Sequence, residues 1–200
     1  MLKVNEIFCS IQGEGEWVGT LMVFVRFSGC NLNCEFCDTS HKDFQETSVE
    51  EILEKVKSHH PCKKVCFTGG EPLLQDLTQL AEALYSLGYS IHIETNGTLP
   101  LQSWTAEWLT VSPKCTSEGL SLGTMLYADE VKFICGMSNW GEIMDEVLKR
   151  FPTLRDKAFL QPVGDSEGPI KSWLDVALNY VKKRPNLRLS LQVHKLIGVK

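Results

Sequence analysis

The sequence of 200 residues lacks any apolar run long enough to span a bilayer, and its opening stretch "MLKVNEIFCSIQGEGEW" lacks the basic segment, apolar segment and small-residue cleavage site of a secretory signal. No membrane association is therefore expected, and a cytoplasmic location is. An excess of basic charge is also missing. A net charge of −5 and a pI near 5.6 argue against non-specific binding to nucleic acid or anionic lipid, which need a basic face. A small molecule or a protein is the expected partner. There is no internal repeat, low-complexity tract or linker, and 200 residues at 43% hydrophobic and 22% charged suit one globular domain over 1–200, with no room for a second.

What is present is a group of thiols. Cys30, Cys34 and Cys37 form C-x-x-x-C-x-x-C in "CNLNCEFCDTS", while Cys9, Cys62, Cys66, Cys115 and Cys135 are scattered through apolar stretches and read as small reduced core residues. Structural zinc takes four ligands, usually from two paired motifs. Here a second C-x-x-C is missing, Cys62 and Cys66 lack a third member, and His41 is the only nearby imidazole. A four-iron cube suits three thiolates better, one per iron, with the fourth iron open for reaction. Zinc and three unligated core thiols stay open as alternatives on spacing alone. The loop follows "VFVRFSG" directly, so the thiols are expected at a strand's C-terminal end, with backbone N–H groups aimed at the sulfurs.

Patterning predicts strands at "LMVFVRFSG", "KVCFTGG", "SIHIETNG", "WLTVSP", "DEVKFIC", "AFLQPV" and "LRLSLQVH", and helices near "SVEEILEKVKSH", "LTQLAEALYSLG", "WGEIMDEVLKRF" and "IKSWLDVALNYVKKR". Ser48 ahead of Glu51 has capping-box spacing, and Gly88 is a C-cap candidate. The stretch from Thr98 to Tyr127 reads as loop-rich. Alternating strands and helices predict an α/β domain with a mostly parallel sheet. Side chains alternate across a strand, and four strands carry one polar face: Phe24, Arg26 and Ser28; Cys66, Thr68 and Gly70; His92, Glu94 and Asn96; Ser190, Gln192 and His194. On one strand such a face could simply be wet. Four in agreement predict an inward polar face in a curved or closed sheet, with Arg26 and Glu94 semi-buried and chemistry near the strands' C-terminal ends.

The cysteine run with Phe36, followed by "FTGGEP", "ETNG" and "VSPK", resembles the radical S-adenosylmethionine enzymes. More narrowly, "EIFCSIQGEGEWVGT", "CDTS" and "LQVHK" resemble the 7-carboxy-7-deazaguanine synthases, and the likeness covers nearly the whole chain. It implies a partial, open TIM-type barrel of about six parallel strands with reduced helices, and a 4Fe–4S cluster on Cys30, Cys34 and Cys37 whose open iron binds S-adenosylmethionine. Gly69 and Gly70 are implied to let the backbone approach that cofactor, with Glu71 nearby. Phe36, Cys37 and Asp38 are implied as further contacts, and Ser112, Pro113, Lys114, Gln161, Pro162, Val163 and Gly164 as holding its ribose and adenine. Thr39 is implied as a Mg²⁺ ligand through its hydroxyl, which suits a hard, oxygen-preferring ion.

The resemblance further implies the substrate 6-carboxy-5,6,7,8-tetrahydropterin, bound by Ile11, Gln12, Gly13, Glu14, Arg26, Thr68, Glu94 and His194. Glu14 can accept from the amino and ring N–H groups of a pterin edge, and Gln12 can donate or accept. Arg26 suits a carboxylate through its planar fork, with a structural pairing to an acid such as Glu94 as the alternative. Some relatives end on a proline that helps bind substrate, whereas this chain ends on Lys200. The implied reaction cleaves S-adenosylmethionine with one electron from a low-potential donor such as flavodoxin or ferredoxin. The resulting radical removes hydrogen from the carboxylate-bearing carbon, and the ring contracts with loss of ammonia. A homodimer is implied too. A glycyl-radical-enzyme activase would share the cysteines and "GGEP" but leave "IQGEGE" and "CDTS" unexplained. A ferredoxin-like carrier would need four ligands.

Overall fold

The computed structural model describes residues 1–37, 39, 43–104, 106–136 and 138–200. Its strands are β1 (Leu2–Ile11), β2 (Leu21–Phe27), β3 (Gln45–Thr47), β4 (Lys64–Gly69), β5 (Ser90–Thr95), β6 (Trp108–Val111), β7 (Glu130–Cys135), β8 (Ala158–Pro162), β9 (Gly164–Asp165), β10 (Gly168–Pro169) and β11 (Arg188–Leu189). The helices are α1 (Val49–Lys57), α2 (Thr78–Ser86), α3 (Leu122–Tyr127), α4 (Trp140–Arg150), α5 (Lys171–Lys183) and α6 (Val193–Leu196). One sheet runs β11-β8-β7-β6-β5-β4-β2-β1-β3, and β9 and β10 form a separate hairpin. From β2 to β11 every neighbour is parallel, and β1 is antiparallel to both β2 and β3. Among the described residues the sheet has two ends and does not close. It is the open TIM-type barrel expected, with six longer parallel strands, a two-residue seventh and an antiparallel extension that the patterning did not reveal.

Parallel neighbours need long crossovers, and the amphipathic helices supply most of them. Ser48 caps α1 as a capping box, its hydroxyl accepting from Glu51 N at 3.2 Å while Glu51 accepts from Ser48 N at 2.8 Å. Gly88, at φ +73°, turns the chain out of α2, and Tyr89 N then reaches back to Leu84 O at 3.0 Å. The apolar strand face, with Val23, Val25, Phe27, Val65, Phe67, Ile91 and Ile93, packs into one core with Ile52 and Val56 of α1 and Leu80, Ala81 and Leu84 of α2. Each such side chain contributes about 1.5–3 kcal/mol on burial, so the core face is fixed and the polar face is left to line the interior.

Two stretches differ from expectation. "LRLSLQVH" holds strand geometry only to Leu189, after which Val193 begins α6. Its neighbour β8 runs two residues past the Leu160 that pairs with Leu189, but the second of them, Pro162, has no N–H to continue the ladder. Ser190 N still bonds to Leu160 O at 3.0 Å, but Val193 N bonds to Gly13 O at 2.9 Å instead of to a strand. The region from Thr98 to Tyr127 is less irregular than expected, since besides β6 it contains α3, capped by Ser121. Among the described residues no helix is long and apolar enough to cross a membrane.

Candidate active site

A cavity of about 280 Å³ opens on the polar side of the sheet. The loop after β2 brings Cys30, Cys34 and Cys37 to one part of its wall, together with Phe36 and Thr39. Leu32 N–H points at Cys30 Sγ at 3.5 Å, and Cys37 N bonds to Cys34 O at 3.2 Å. Burial, together with the neighbouring thiols and against Lys114, pushes the Cys34 thiol above its ordinary value. Among the described residues no three His, Cys, Asp or Glu side chains converge on a single ion. A cube makes a different demand, one thiolate per iron. Three soft donors on one loop, facing one cavity, with a backbone N–H aimed at one sulfur, fit that group.

The "GGE" segment at the end of β4 supports this loop from behind. Gly70 N bonds to Phe27 O at 3.0 Å and Glu71 N to Gly29 O at 2.8 Å. A Cβ on Gly70 would lie 2.0 Å from Gly29 O, so a side chain there would push the two backbones apart. Gly69 and Gly70 line the cavity, whereas Glu71 does not: it is fully buried. Its carboxylate accepts from Asn96 N at 2.7 Å, Thr95 Oγ1 at 2.8 Å and Leu73 N at 3.0 Å. Asn96 in turn donates to Asn31 Oδ1 at 3.0 Å, tying "GGE", "ETNG" and the cysteine loop into one framework.

The loop between β1 and β2 enters the interior from the opposite end of the parallel strands. Gln12 and Thr20 close it (Gln12 N to Thr20 O, 2.7 Å), and Trp17 packs edge-on against His92 at 4.8 Å and Trp108 at 5.6 Å. This brings Gln12, Gly13 and Glu14 to the cavity, where Ile11, Arg26, Thr68, Glu94 and His194 also lie. Gln12 Nε2 donates to Glu94 Oε1 at 2.9 Å, and Thr68 Oγ1 reaches Glu94 Oε2 at 3.4 Å. Gly13 is the residue that admits His194: a Cβ there would sit 2.0 Å from the imidazole Nδ1. Arg26 does pair with an acid, the alternative reading, but the acid is Glu6, at 3.0 Å, and not Glu94.

At the centre stands Lys132, which the sequence reading did not single out. Its ammonium pairs with Glu14 and lies 3.9 Å from Glu94, with the side chain only 5% exposed. Burial works against this charge, but Glu14 and Glu94 beside it reverse the effect and hold Lys132 above its usual value. Burial would likewise raise Glu14, and Lys132, the Gln192 amide and His194 hold it below the usual carboxylate range. Glu130, raised by burial against Lys132, accepts from Glu16 N at 2.9 Å and Thr110 Oγ1 at 3.0 Å. Glu130 and Lys132 carried a sequence signal: "DEVKFIC" places them on one face of an otherwise apolar strand.

The remaining wall comes from the ends of β6 and β8. Ser112, Lys114, Gln161, Pro162, Val163 and Gly164 line it, and Pro113 does not. Lys114 donates to Ser112 O at 2.9 Å, and burial, with repulsion from Lys132, lowers it to about 8. Gln161 accepts from Ser190 Oγ at 2.9 Å, which itself accepts from Gly15 N at 3.0 Å. Asp38, named with this group above, lies outside the described residues. Of the other cysteines, Cys62, Cys66 and Cys135 are buried and Cys9 and Cys115 partly so.

Comparison with known proteins agrees with this geometry. Residues 24–151 match the Radical SAM superfamily. Over the whole of both chains the sequence is 40% identical to a 7-carboxy-7-deazaguanine synthase of Bacteroides thetaiotaomicron. It is 33% identical to one of Methanospirillum hungatei, over 99% of this chain and 86% of the other. The crystal structure of QueE from Escherichia coli superposes with a TM-score of 0.78 at 28% identity, over 94% of this chain and 92% of that one. The three-cysteine loop at a strand end, the open parallel barrel and this full-length similarity converge: the chain belongs to the radical S-adenosylmethionine superfamily and, within it, to the 7-carboxy-7-deazaguanine synthases.

Proposed function

We propose that this enzyme converts 6-carboxy-5,6,7,8-tetrahydropterin to 7-carboxy-7-deazaguanine with loss of ammonia, a step towards queuosine and other 7-deazapurines. The observation that carries the reading is one cavity with paired carboxylates, Glu14 and Glu94, in one part of its wall and three thiols in another. Radical S-adenosylmethionine enzymes bind a 4Fe–4S cluster and S-adenosylmethionine; together these supply one-electron chemistry that removes hydrogen from an unactivated carbon. In this chain Cys30, Cys34 and Cys37 would hold the cluster.

The protein's own work is binding, orientation and exclusion of water. Glu14 and Gln12 accept and donate along the amino and ring N–H edge of the pterin, with Glu94 and Thr68 beside them. Arg26 exchanges its partly buried partner Glu6 for the substrate carboxylate, which its fork can grip with two parallel bonds. Ile11 and Gly13 supply backbone and close approach, and His194 closes that side. Gly69, Gly70, Phe36, Cys37 and Asp38 contact S-adenosylmethionine around the cluster, with Ser112, Lys114 and Gln161 to Gly164 along its nucleoside. Glu71 and Pro113, off the cavity wall, act on that cofactor only through the backbone they support. Thr39 offers its hydroxyl to a Mg²⁺ ion shared with the substrate. The working unit we propose is one domain over 1–200, in a cytoplasmic homodimer, reduced by flavodoxin or ferredoxin.

The test is turnover without oxygen. Protein reconstituted with iron and sulfide receives reductant, S-adenosylmethionine, Mg²⁺ and 6-carboxytetrahydropterin, and 7-carboxy-7-deazaguanine is sought by mass spectrometry beside a Cys34→Ala control. Product that vanishes in the control supports the reading. Deoxyadenosine without deazaguanine retains the radical chemistry and overturns the substrate.

A further inference from the structure

We propose that Lys132 is the positioning residue of the substrate pocket: standing between Glu14 and Glu94, its ammonium offsets their mutual repulsion and holds both in place as acceptors, so that the pocket selects a neutral N–H-rich heterocycle edge over a cation. This rests on the pterin reading above and adds what makes the two carboxylates usable.

The case begins with position. Lys132 lies in the middle of β7, a strand buried along its whole length, and its ammonium is held against Glu14 with Glu94 Oε1 at 3.9 Å. Each carboxylate is also aimed by an amide: Gln192 Nε2 donates to Glu14 Oε1 at 2.9 Å, and Gln12 Nε2 to Glu94 Oε1 at 2.9 Å. Other groups facing the cluster are Glu130 on β7, Lys114 beyond β6, the Cys66 thiol on β4, His194 on α6 and Lys195, which reaches it through Gln192 at 2.9 Å. Without the ammonium, Glu14, Glu94 and Glu130 would share a poorly hydrated space. Like charges so placed cannot all ionise, and one takes a proton.

The consequence for recognition is direct. A protonated carboxyl has lost part of its acceptor capacity and gained a donor, which would face a substrate N–H. Lys132 removes that outcome. With Glu14 and Glu94 it forms a trio of one net negative charge, in which a cationic ligand would have to compete with an ammonium already in place. An amino-pyrimidinone edge needs no charge, only acceptors.

Wild type, Lys132→Met, Lys132→Arg and Lys132→Met/Glu14→Gln are compared by pterin KM and kcat across roughly pH 6 to 9, the neutral range in which a crowded carboxyl can titrate. Lys132→Met is expected to raise KM about tenfold or more at the acid end. The defect should shrink as pH rises and the crowded carboxyl ionises, with kcat changed much less. Lys132→Arg should restore the wild-type KM profile, and the double variant should show a raised KM without the acid-end rise of Lys132→Met. A Lys132→Met KM that is flat with pH, or a loss confined to kcat, overturns the proposal, as does an arginine variant no better than methionine. In parallel, ¹³C-labelled glutamate side chains are titrated by NMR without substrate, with Glu14→Gln for assignment. A carboxyl titrating near neutrality in Lys132→Met and absent from wild type supports the proposal even if wild type fails to turn over the pterin, which would sink only the substrate reading. Identical titrations in the two proteins overturn it.

Discussion

Replacing Glu71 by glutamine tests whether the buried carboxylate behind the cysteine loop is the brace that the hydrogen bonds describe. Glu71 is fully buried and accepts three donors: Asn96 N, Thr95 Oγ1 and Leu73 N, at 2.7, 2.8 and 3.0 Å. Glutamine has the same size but only one acceptor oxygen. If that oxygen stays with Thr95 and Leu73, the NH₂ group meets the Asn96 N–H; flipped, it meets the other two. Either way at least one buried donor faces a donor, at a cost of about 1–3 kcal/mol. Because Asn96 also holds Asn31, the cysteine loop should lose definition. Denaturant unfolding of the cluster-free protein should show that loss of stability, and iron bound per chain after reconstitution should fall below wild type. A variant within about 0.5 kcal/mol of wild type and with full iron would refute the bracing argument.

Three further outcomes are expected. Gly70→Ala puts a Cβ 2.0 Å from Gly29 O, backbone against substituent, so iron and sulfide content should drop and stability should fall by about 1–3 kcal/mol. His92, beside Trp17 and Lys64, is depressed to about 4, first by burial and then by Lys64. Its folded pKa lies below its unfolded one, so the unfolded chain binds the proton more readily. Stability that is full above about pH 6.5 should decline by up to about 3 kcal/mol as pH falls towards 4, and His92→Gln should show a shallower decline by unfolding at several pH values. Arg26→Lys keeps the charge beside Glu6 but loses the fork. Steady-state kinetics should show pterin KM raised by about tenfold with kcat less affected.

Much of this was legible because period and chemistry agreed. The strands "MVFVRF", "VCFTG" and "SIHIET" alternate cleanly, and their polar sides, Arg26, Thr68 and Glu94, do meet at one cavity. The family motifs pointed to residues that alternation cannot single out, notably Thr39 and the segment from Gln161 to Gly164, and these line the same cavity. The failures have physical causes. β1 is an antiparallel addition whose burial pattern is mixed along its length, so "LKVNEIFCSI" reads as a motif before it reads as a strand. "LQVH" alternates like a strand but has no ladder partner beyond β8, so His194 reaches the cavity from α6. Glu71 belongs to a motif, yet its three donors come from segments brought together only by the fold. Lys132 shares a strand face with Glu130, a visible signal whose meaning waits until Glu14, 118 residues away, is placed against it.

The central claim is that the pterin's carboxylate-bearing carbon sits where the cluster and S-adenosylmethionine act. The measurement that tests it most directly is the fate of deuterium placed on that carbon during anaerobic turnover. Deuterium found in the S-adenosylmethionine or deoxyadenosine recovered, and missing from the 7-carboxy-7-deazaguanine, is the predicted result. Deazaguanine that keeps the label, or deoxyadenosine formed without it, would contradict the account.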